Sequence, residues 1–318
     1  MKSKVLSFLL VTLALEFQAC DFLHRGAPSS HELLRRKSKK KSSQIVPNRR
    51  AFEDRTLEEV EGYDPLRPIV EGEDFINCIG MKMIWIAPGS FEMGRAAPSS
   101  FARNINATWP KHRVTLEKGF WLSDSELTQE QYERLRSSNP SRFKGGNLPV
   151  ENVTWRESAN FCRILTGVEA RARGLSREVF AFSFRLPSEA QWEYSCRAGT
   201  QGVYYASNLY EIAWFGLNSN ACTHPVKGKQ PNAWALYDML GNVEEWCQDD
   251  FHHSYHNAPR DGRPWIDESK TYKSIRGGSW ASRRGKSCSC SSRRGGGAGY
   301  RSPKLGFRPM GSLKLDAR

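Results

Sequence analysis

Arg185-Leu-Pro-Ser-Glu-Ala-Gln-Trp-Glu-Tyr194 carries the clearest structural signal in this chain. Ser188 precedes Gln191 by three residues, the spacing of a capping box, in which two backbone N–H groups at a helix start are satisfied reciprocally. Gly199 is suited to end such a helix, because glycine adopts the left-handed backbone of a C-terminal cap at little cost. The sequence therefore predicts a helix that begins after Ser188, runs to Ala198 and stops at Gly199.

The remaining elements are short. Capping-box spacing recurs at Thr128 with Gln131 and at Thr154 with Glu157, and the latter predicts a helix from Trp155 to Leu165. The stretch 83–94 indicates two strands around the turn Pro88-Gly89, and 113–116 and 119–122 indicate two more. After Gly199 the chain is rich in Trp, Tyr, Asn and Gly, which is typical of loops and short strands. We expect one α+β domain with few helices, short strands and much irregular structure, over residues 72–318.

The N-terminus predicts export. Lys2 and Lys4 precede an apolar run over 5–15, which is too short for a membrane span and has the length of a signal-peptide core. The run leads to Ala19-Cys20, which resembles a bacterial lipobox with cleavage before Cys20. We therefore expect a signal peptide over 1–19 and a lipid on Cys20 that anchors the protein at the outer surface of a bacterial cell. An ordinary secretory signal with an incidental Cys20 is the alternative.

Residues 20–71 read as a tether. The run 35–43 is dense in Lys and Arg, so its self-repulsion favours an extended chain. A plain spacer and attraction to anionic lipid headgroups both fit this composition. The whole chain of 318 residues carries a net charge of +13, which favours acidic partners. No nucleic-acid-binding motif accompanies that charge, so nucleic acid is not an expected partner.

One segment differs from the rest of the chain. Ala281-Ser-Arg-Arg-Gly-Lys-Ser-Cys-Ser-Cys-Ser-Ser-Arg-Arg-Gly-Gly-Gly-Ala-Gly-Tyr300 has few apolar residues and no Asp, Glu or Asn. It lies within a 47-residue stretch, 269–315, that contains 12 Lys or Arg and no acid. Such a segment cannot form a core of its own. We expect a cationic surface held between the flanks Gly277-Gly278-Ser279-Trp280 and Gly306-Phe307-Arg308.

Five motifs together resemble the formylglycine-generating-enzyme (sulfatase-modifying factor) type of C-type-lectin-like fold. The resemblance covers about residues 72–310, and the motifs occur in the order found in that family. It implies that the glycines lie at tight turns and that the tryptophans supply much of the buried area. The motifs are Met83-Ile-Trp-Ile-Ala-Pro-Gly-Ser-Phe-Glu-Met-Gly94, Pro149-Val-Glu-Asn-Val-Thr-Trp155, Arg185 to Tyr194, Ala235-Leu-Tyr-Asp-Met-Leu-Gly-Asn-Val-Glu-Glu-Trp246, and Arg276-Gly-Gly-Ser-Trp280 with Gly306-Phe-Arg308.

The resemblance does not extend to catalysis. The enzymes of that family carry two thiols shortly after their Gly-Gly-Ser motif, which bind copper and attack the substrate cysteine. Counted forward from that motif, these places fall on Ser282 and Ser287 here, and counted back from Arg293 they fall on Trp280 and Gly285. A hydroxyl cannot replace a soft thiolate for copper binding or thiol exchange. We therefore expect no catalytic residue, no catalytic cofactor and no enzyme activity.

Two metal sites come into question. The resemblance implies that Asn242 and Glu245 help to bind a structural Ca²⁺, while a loop held by Asn and Gly turn geometry is the alternative. His252 and His256 have the spacing of a metal pair on a helix, but Asn257-Ala-Pro259 favours a polar loop there. We predict no catalytic metal.

The cysteines outside the predicted anchor number seven, so at least one thiol stays free. In the resembling enzymes, a cysteine at the place of Cys196 pairs with one three residues before the framework arginine, which implies a Cys196–Cys290 disulfide here. The family partner of Cys162 falls on Pro309, so Cys162 is expected to be a buried thiol. Cys288 and Cys290 are alternatively mere products of codon diversification.

The segment 281–300 also resembles the variable region of proteins encoded with diversity-generating retroelements, which use this fold as a scaffold. Mutation of template adenines scatters Asn codons to Ser, Arg, Gly, Cys, Ala and Tyr, and these six make up 281–300 except Lys286. The resemblance implies a variable region over about 276–308 that binds a protein or glycan, with Arg293 and 306–308 as framework. The candidate contacts are Ala281, Ser282, Arg283, Arg284, Gly285, Ser287, Ser289, Ser291, Arg294, Gly295, Gly296 and Tyr300.

The arginines of this segment predict an acidic ligand and salt-sensitive affinity, and we expect the protein to act as a monomer. Three alternatives remain open: a Ser/Gly/Arg-rich loop of other origin, an active formylglycine-generating-enzyme-like oxidase, and a structural envelope lipoprotein without a ligand.

Overall fold

The structure is a computed structural model, and it describes residues 60–95, 108–285 and 287–314. The predicted signal peptide, Cys20 and the basic run 35–43 lie outside the described residues. Tertiary contacts begin before residue 72, where the sequence places the domain boundary, because Tyr63 and Ile69 already pack against the hydrophobic core. No helix among the described residues has both the length and the apolar character needed to cross a bilayer.

Four helices are present in the described ranges, three of which begin at the predicted capping boxes. Thr128, Thr154 and Ser188 each accept the backbone N–H three residues on, and the side chains of Gln131, Glu157 and Gln191 reach back. The second helix is longer than predicted, because buried Glu169 and Ala170 extend its packed face beyond Leu165. The helices are α1 (Gln129–Glu133), α2 (Trp155–Ala172), α3 (Glu189–Arg197) and α4 (Leu209–Ile212).

Short strands form three sheets. The strands are β1 (Phe75–Ile76), β2 (Lys82–Ile86), β3 (Gly89–Met93), β4 (His112–Leu116), β5 (Phe120–Ser123), β6 (Phe182–Arg185), β7 (Glu244–Asp250), β8 (Tyr272–Arg276), β9 (Arg293–Gly297), β10 (Leu305–Gly306) and β11 (Met310–Leu313). A five-stranded antiparallel sheet has the order β1-β2-β5-β11-β6, a four-stranded sheet has the order β10-β7-β8-β9, and β3 pairs with β4. The strands on either side of the Pro88-Gly89 turn thus belong to different sheets.

Tryptophans supply large buried area in the core, as the sequence predicts. Trp121, Trp192 and Trp246 are fully buried. Each indole N–H has an acceptor, because an unsatisfied buried donor is costly. Trp121 donates to the carbonyl of Glu73, Trp246 to the carbonyl of Val153, and Trp192 to the carboxylate of Glu245. These bonds connect β5 and β7 to the loops beside them and α3 to β7.

Candidate ligand-binding surface

The segment 281–300 is anchored at both ends by the four-stranded sheet. It leaves β8 through Gly277 and Gly278, both in the left-handed region, and a Cβ at Gly278 would lie 2.7 Å from the Sγ of Cys288. It returns as β9, which pairs antiparallel with β8. Glycine is required at this turn, so the flank acts as framework.

Part of the segment faces the interior, which its composition does not predict. Ser282 receives the backbone N–H of Ser279 on its hydroxyl. A Cβ at Gly285 would lie 2.3 Å from Leu209, and one at Gly296 would lie 2.7 Å from Ile275. Neighbouring elements therefore enclose positions that the sequence assigns to the surface. Five of the twelve candidate contacts are buried: Ser282, Gly285, Ser289, Ser291 and Gly296.

Arg293 holds the segment 281–300 against the interior of the domain. Its guanidinium forms a double hydrogen bond with the buried carboxylate of Glu189, with Nε–Oε1 at 2.6 Å and Nη2–Oε2 at 2.5 Å. It also lies against the rings of Phe251 and Tyr255. Burial alone would raise the pKa of Glu189, but Arg293 and Arg276 outweigh it and hold that pKa below its usual range. The predicted framework role of Arg293 is confirmed.

The flank 306–308 is also framework, as predicted. Phe307 and Arg308 are buried, and a Cβ at Gly306 would lie 2.3 Å from the carbonyl oxygen of Val150. The guanidinium of Arg308 forms an ion pair of 2.7 Å with Glu245. Buried contacts therefore hold both ends of the segment 281–300 in place.

Arg283 and Arg284 have the opposite setting. Both are exposed, and with Gly216 and Leu217 they line an open cavity of about 550 Å³. Leu217 is 60% exposed, so an apolar side chain lies beside the two guanidinium groups. Within the part of the chain that the structure describes, neither arginine forms an ion pair. The two arginines are evident in the sequence, but Leu217 is not, because nothing around it in the sequence indicates where its loop lies.

Arg294 and Tyr300 complete the accessible part. Arg294 is half-buried and forms a two-point ion pair with Glu244, and its guanidinium lies 5.6 Å from the ring centre of Tyr300. Its charge is thus already matched within the protein, unlike the charges of Arg283 and Arg284. The seven candidates that are exposed or half-buried are Ala281, Arg283, Arg284, Ser287, Arg294, Gly295 and Tyr300.

The thiols near the segment are buried. Burial raises the pKa of Cys288 to about 12, which keeps it protonated and unreactive near neutral pH. Cys196 and Cys290 are free thiols in the structure, and they contact each other through a side-chain hydrogen bond. The disulfide that the family resemblance implies therefore stays a prediction, on two side chains that the fold brings together. Cys162 is a buried thiol, as predicted.

The residues proposed for calcium are engaged within the protein. The Asn242 amide donates to Glu126 and its oxygen accepts the backbone N–H of His224. The carboxylate of Glu245 accepts from Arg308 and from the indole of Trp192. A cation would have to displace these partners, so the pair does not fit a calcium site. Among the described residues, no group of three His, Cys, Asp or Glu side chains could hold a metal ion.

The histidines of 252–256 lie in a loop, as predicted. His252 stacks on Trp265 at 3.5 Å between ring centres, and His256 lies edge-on to Trp109. Each imidazole thus packs against its own aromatic neighbour. The spacing of His252 and His256, which suggests a metal pair, is instead explained by their packing against these aromatic rings.

Comparison with known proteins supports the fold. Residues 77–312 match the family described as the sulfatase-modifying factor enzyme 1-like domain. The solved structure of Treponema denticola variable protein 1 superposes with a TM-score of 0.62 at 29% identity, covering 72% of this chain and 94% of that one. These matches confirm the predicted α+β, C-type-lectin-like fold of the formylglycine-generating-enzyme type.

Two curated relatives show how far the likeness extends. The chaperone protein LppX of Paenibacillus barcinonensis is 27% identical over 57% of this chain and 75% of its own length. The formylglycine-generating enzyme of Streptomyces coelicolor is 29% identical over 67% of this chain and 60% of its own length. Several other curated relatives are matched over less than half of their length.

Proposed function

The chain belongs to the sulfatase-modifying factor enzyme 1-like family, and on that scaffold we propose a ligand-binding protein without formylglycine-generating activity. Its accessible part of 281–302 binds an acidic protein or glycan and is diversified by a retroelement. The observation that carries the proposal is the pair Arg283 and Arg284, which are exposed beside the apolar side chain of Leu217 and form no ion pair among the described residues. Two cations next to an apolar contact suit a ligand with carboxylate or sulfate groups.

The likeness to Treponema denticola variable protein 1 supports diversification of this segment. The scaffold suits that role, because Arg293, Arg308 and the glycine turns hold both ends of the segment in place. Exposed side chains on a preorganised backbone lose little entropy on binding. Changes at those positions then alter the ligand and leave the fold intact.

The proposal that the protein lacks formylglycine-generating activity rests on the missing catalytic thiols. In one register the places that carry thiols in the enzymes fall on Ser282 and Ser287, and in the other on Trp280 and Gly285, so neither register supplies a thiol. The nearby Cys288 is buried and protonated near neutral pH. Purified protein, incubated with a cysteine-containing sulfatase peptide and copper, is expected to form no formylglycine above background. Conversion above background would overturn this part of the proposal.

Binding is tested by replacing the two exposed arginines, Arg283 and Arg284. Arg283→Ala/Arg284→Ala should weaken binding to immobilised heparin and poly-glutamate at least tenfold relative to Arg156→Ala/Arg171→Ala. The control removes the same charge from exposed positions on α2. The wild-type affinity should fall steeply with salt, because the contacts are ionic. Equal loss in both double variants would attribute binding to net charge and contradict the proposal.

Export and anchoring form a separate part of the proposal. The protein is displayed at the outer surface of a bacterial cell through a lipid on Cys20. Metabolic labelling with palmitate should mark the protein, and Cys20→Ala should abolish the label. Unchanged labelling would remove the anchor and leave the binding proposal intact.

A further inference from the structure

A second basic site lies outside 281–302. A cleft of about 530 Å³ is formed between α2, β6 and the end of β11, and no residue of 281–302 lines it. Four cationic side chains line the cleft with a single carboxylate. They are Arg163, Arg177, Arg185 and Lys314, with Glu178. Such an excess of one charge in a concave site favours a ligand of the opposite sign.

Arg185 is the feature that separates this cleft from an ordinary basic surface. It is the last residue of β6 and is half-buried, and within the described residues its guanidinium makes one hydrogen bond, of 3.2 Å, to the Gln191 side chain. Arginine has five N–H donors, so the others remain available to a ligand in the cleft. Burial is the main effect on this group and lowers the pKa of Arg185.

Asp249 attracts Arg185 but forms no ion pair with it among the described residues. Its two oxygens accept the backbone N–H groups of Trp265 and Glu189. Its attraction only partly offsets the effect of burial, which lowers the pKa of Arg185. Arg185 therefore keeps donors that a ligand oxyanion can accept from.

The rim side chains are positioned for the same role. Arg163 is held by Asn160, whose oxygen accepts from Nε at 3.2 Å and from Nη2 at 2.8 Å. The Lys314 ammonium donates to the backbone carbonyl of Arg177 at 2.7 Å. Both side chains keep further donors for a ligand. A half-buried guanidinium and exposed cations in one cleft suit an oxyanion with several acceptor oxygens.

We propose that this cleft binds a phosphate group, either as free phosphate or as the headgroup of an anionic lipid. The neighbouring surface favours a lipid source. Val179 and Leu313 adjoin Glu178 and Lys314 in the chain, are 69% and 40% exposed, and line a second cavity. A basic cleft beside exposed aliphatic side chains suits a membrane surface. The site is independent of the ligand proposed for 281–302.

The test uses the full chain and three variants. Arg185→Gln removes the half-buried guanidinium of the cleft. Arg163→Gln/Lys314→Gln removes two exposed cations, whose loss does not disturb packing. Arg171→Gln is the matched control, because Arg171 is exposed on α2 and does not line the cleft. Titration calorimetry with inorganic phosphate forms one arm. Co-sedimentation with phosphatidylglycerol or phosphatidylcholine vesicles forms the other.

The proposal expects wild type and Arg171→Gln to bind at least one probe, and both cleft variants to bind it at least tenfold more weakly. Loss confined to phosphatidylglycerol vesicles assigns the site to a lipid headgroup, and loss confined to inorganic phosphate assigns it to the free ion. Binding to both probes that is equal in wild type, Arg163→Gln/Lys314→Gln and Arg171→Gln would overturn the proposal. Absence of binding to both probes would overturn it as well.

Discussion

Arg293 and the pair Arg283 and Arg284 belong to one basic segment and have opposite surroundings. Arg293 is buried against Glu189 and two aromatic rings, while Arg283 and Arg284 are exposed beside Leu217. The same residue type therefore supports the scaffold at one position and faces solvent at the other. Composition identifies the segment as basic, but only the tertiary contacts assign a role to each arginine.

The largest effect on the free energy of unfolding is expected from breaking the buried Arg293–Glu189 ion pair. Arg293→Ala leaves the Glu189 carboxylate buried with one of its two arginine partners removed, and loss of one partner of a buried ion pair costs about 3–5 kcal/mol. Arg283→Ala should change the free energy of unfolding by less than about 0.5 kcal/mol, because the side chain is exposed. Urea unfolding of both variants measures the difference. Similar free energies of unfolding for the two variants would remove the distinction between the buried framework arginine and the exposed one.

A smaller effect is expected within β9. Gly296→Ala places a methyl group 2.7 Å from Ile275 and 3.0 Å from Trp246, and such overpacking costs about 1–3 kcal/mol. Gly297→Ala meets nothing within 4 Å and should stabilise by about 0.4–1 kcal/mol, because it reduces the entropy of the unfolded chain. Thermal unfolding of the two variants checks the opposite signs. An unchanged unfolding temperature for Gly296→Ala would show that β9 also accepts other side chains at this buried position.

The Arg293–Glu189 ion pair also contrasts with Glu151, a buried carboxyl that forms no ion pair among the described residues. Burial raises the pKa of Glu151 to about 7, and one of its oxygens has no hydrogen-bond partner among the described residues. The folded state therefore holds this proton more tightly than the unfolded state, whose glutamate pKa is about 4.3. Its contribution to stability is present below that value and is lost as the pH rises towards 7, by at most about 1.4 kcal/mol per pH unit.

Glu151→Gln tests that sign, because it keeps the shape and removes the titration. Relative to wild type, the variant should gain stability steadily between pH 4.5 and pH 7 and change no further above pH 8. Urea unfolding at several pH values measures this difference. A difference that is independent of pH would show that Glu151 is ionised in the folded protein throughout the range.

The smallest effect on stability is expected at the binding surface. Arg283→Ala/Arg284→Ala should leave the unfolding midpoint within a few degrees of wild type, since surface changes are usually within about 0.5 kcal/mol. Arg294→Ala should cost more, because it also removes the ion pair with Glu244. Differential scanning calorimetry separates the two. Unfolding of the double variant would place Arg283 and Arg284 in the scaffold.

Local signals in the sequence suffice for much of the fold. The capping boxes at Thr128, Thr154 and Ser188 are predictable because their hydrogen bonds join residues three positions apart. The length of α2 is not predictable in this way, since its last turns depend on Glu169, which accepts the backbone N–H of distant Cys78.

The candidate surface is predictable only in outline, for the same reason. Gly285 is buried by Leu209 and Gly296 by Trp246, both far away in sequence. Nothing in a run of Ser, Gly and Arg shows which positions those side chains cover. The arginines of the segment are visible in the sequence, and their different partners are not.

The central claim is that the accessible positions of 281–302 vary while the buried ones are held by the scaffold. Sequencing this region in many cells of one growing population tests it most directly. We expect changes at adenine-containing codons, concentrated in expressed copies at Ala281, Arg283, Arg284, Ser287, Arg294 and Tyr300. Ser289, Ser291, Arg293 and Gly296 should stay largely constant. Gly295 should stay constant as well, because a Cβ there would lie 2.7 Å from the ring of Phe251. Changes spread evenly over buried and accessible positions, or a segment that stays fixed in every cell, would contradict the account.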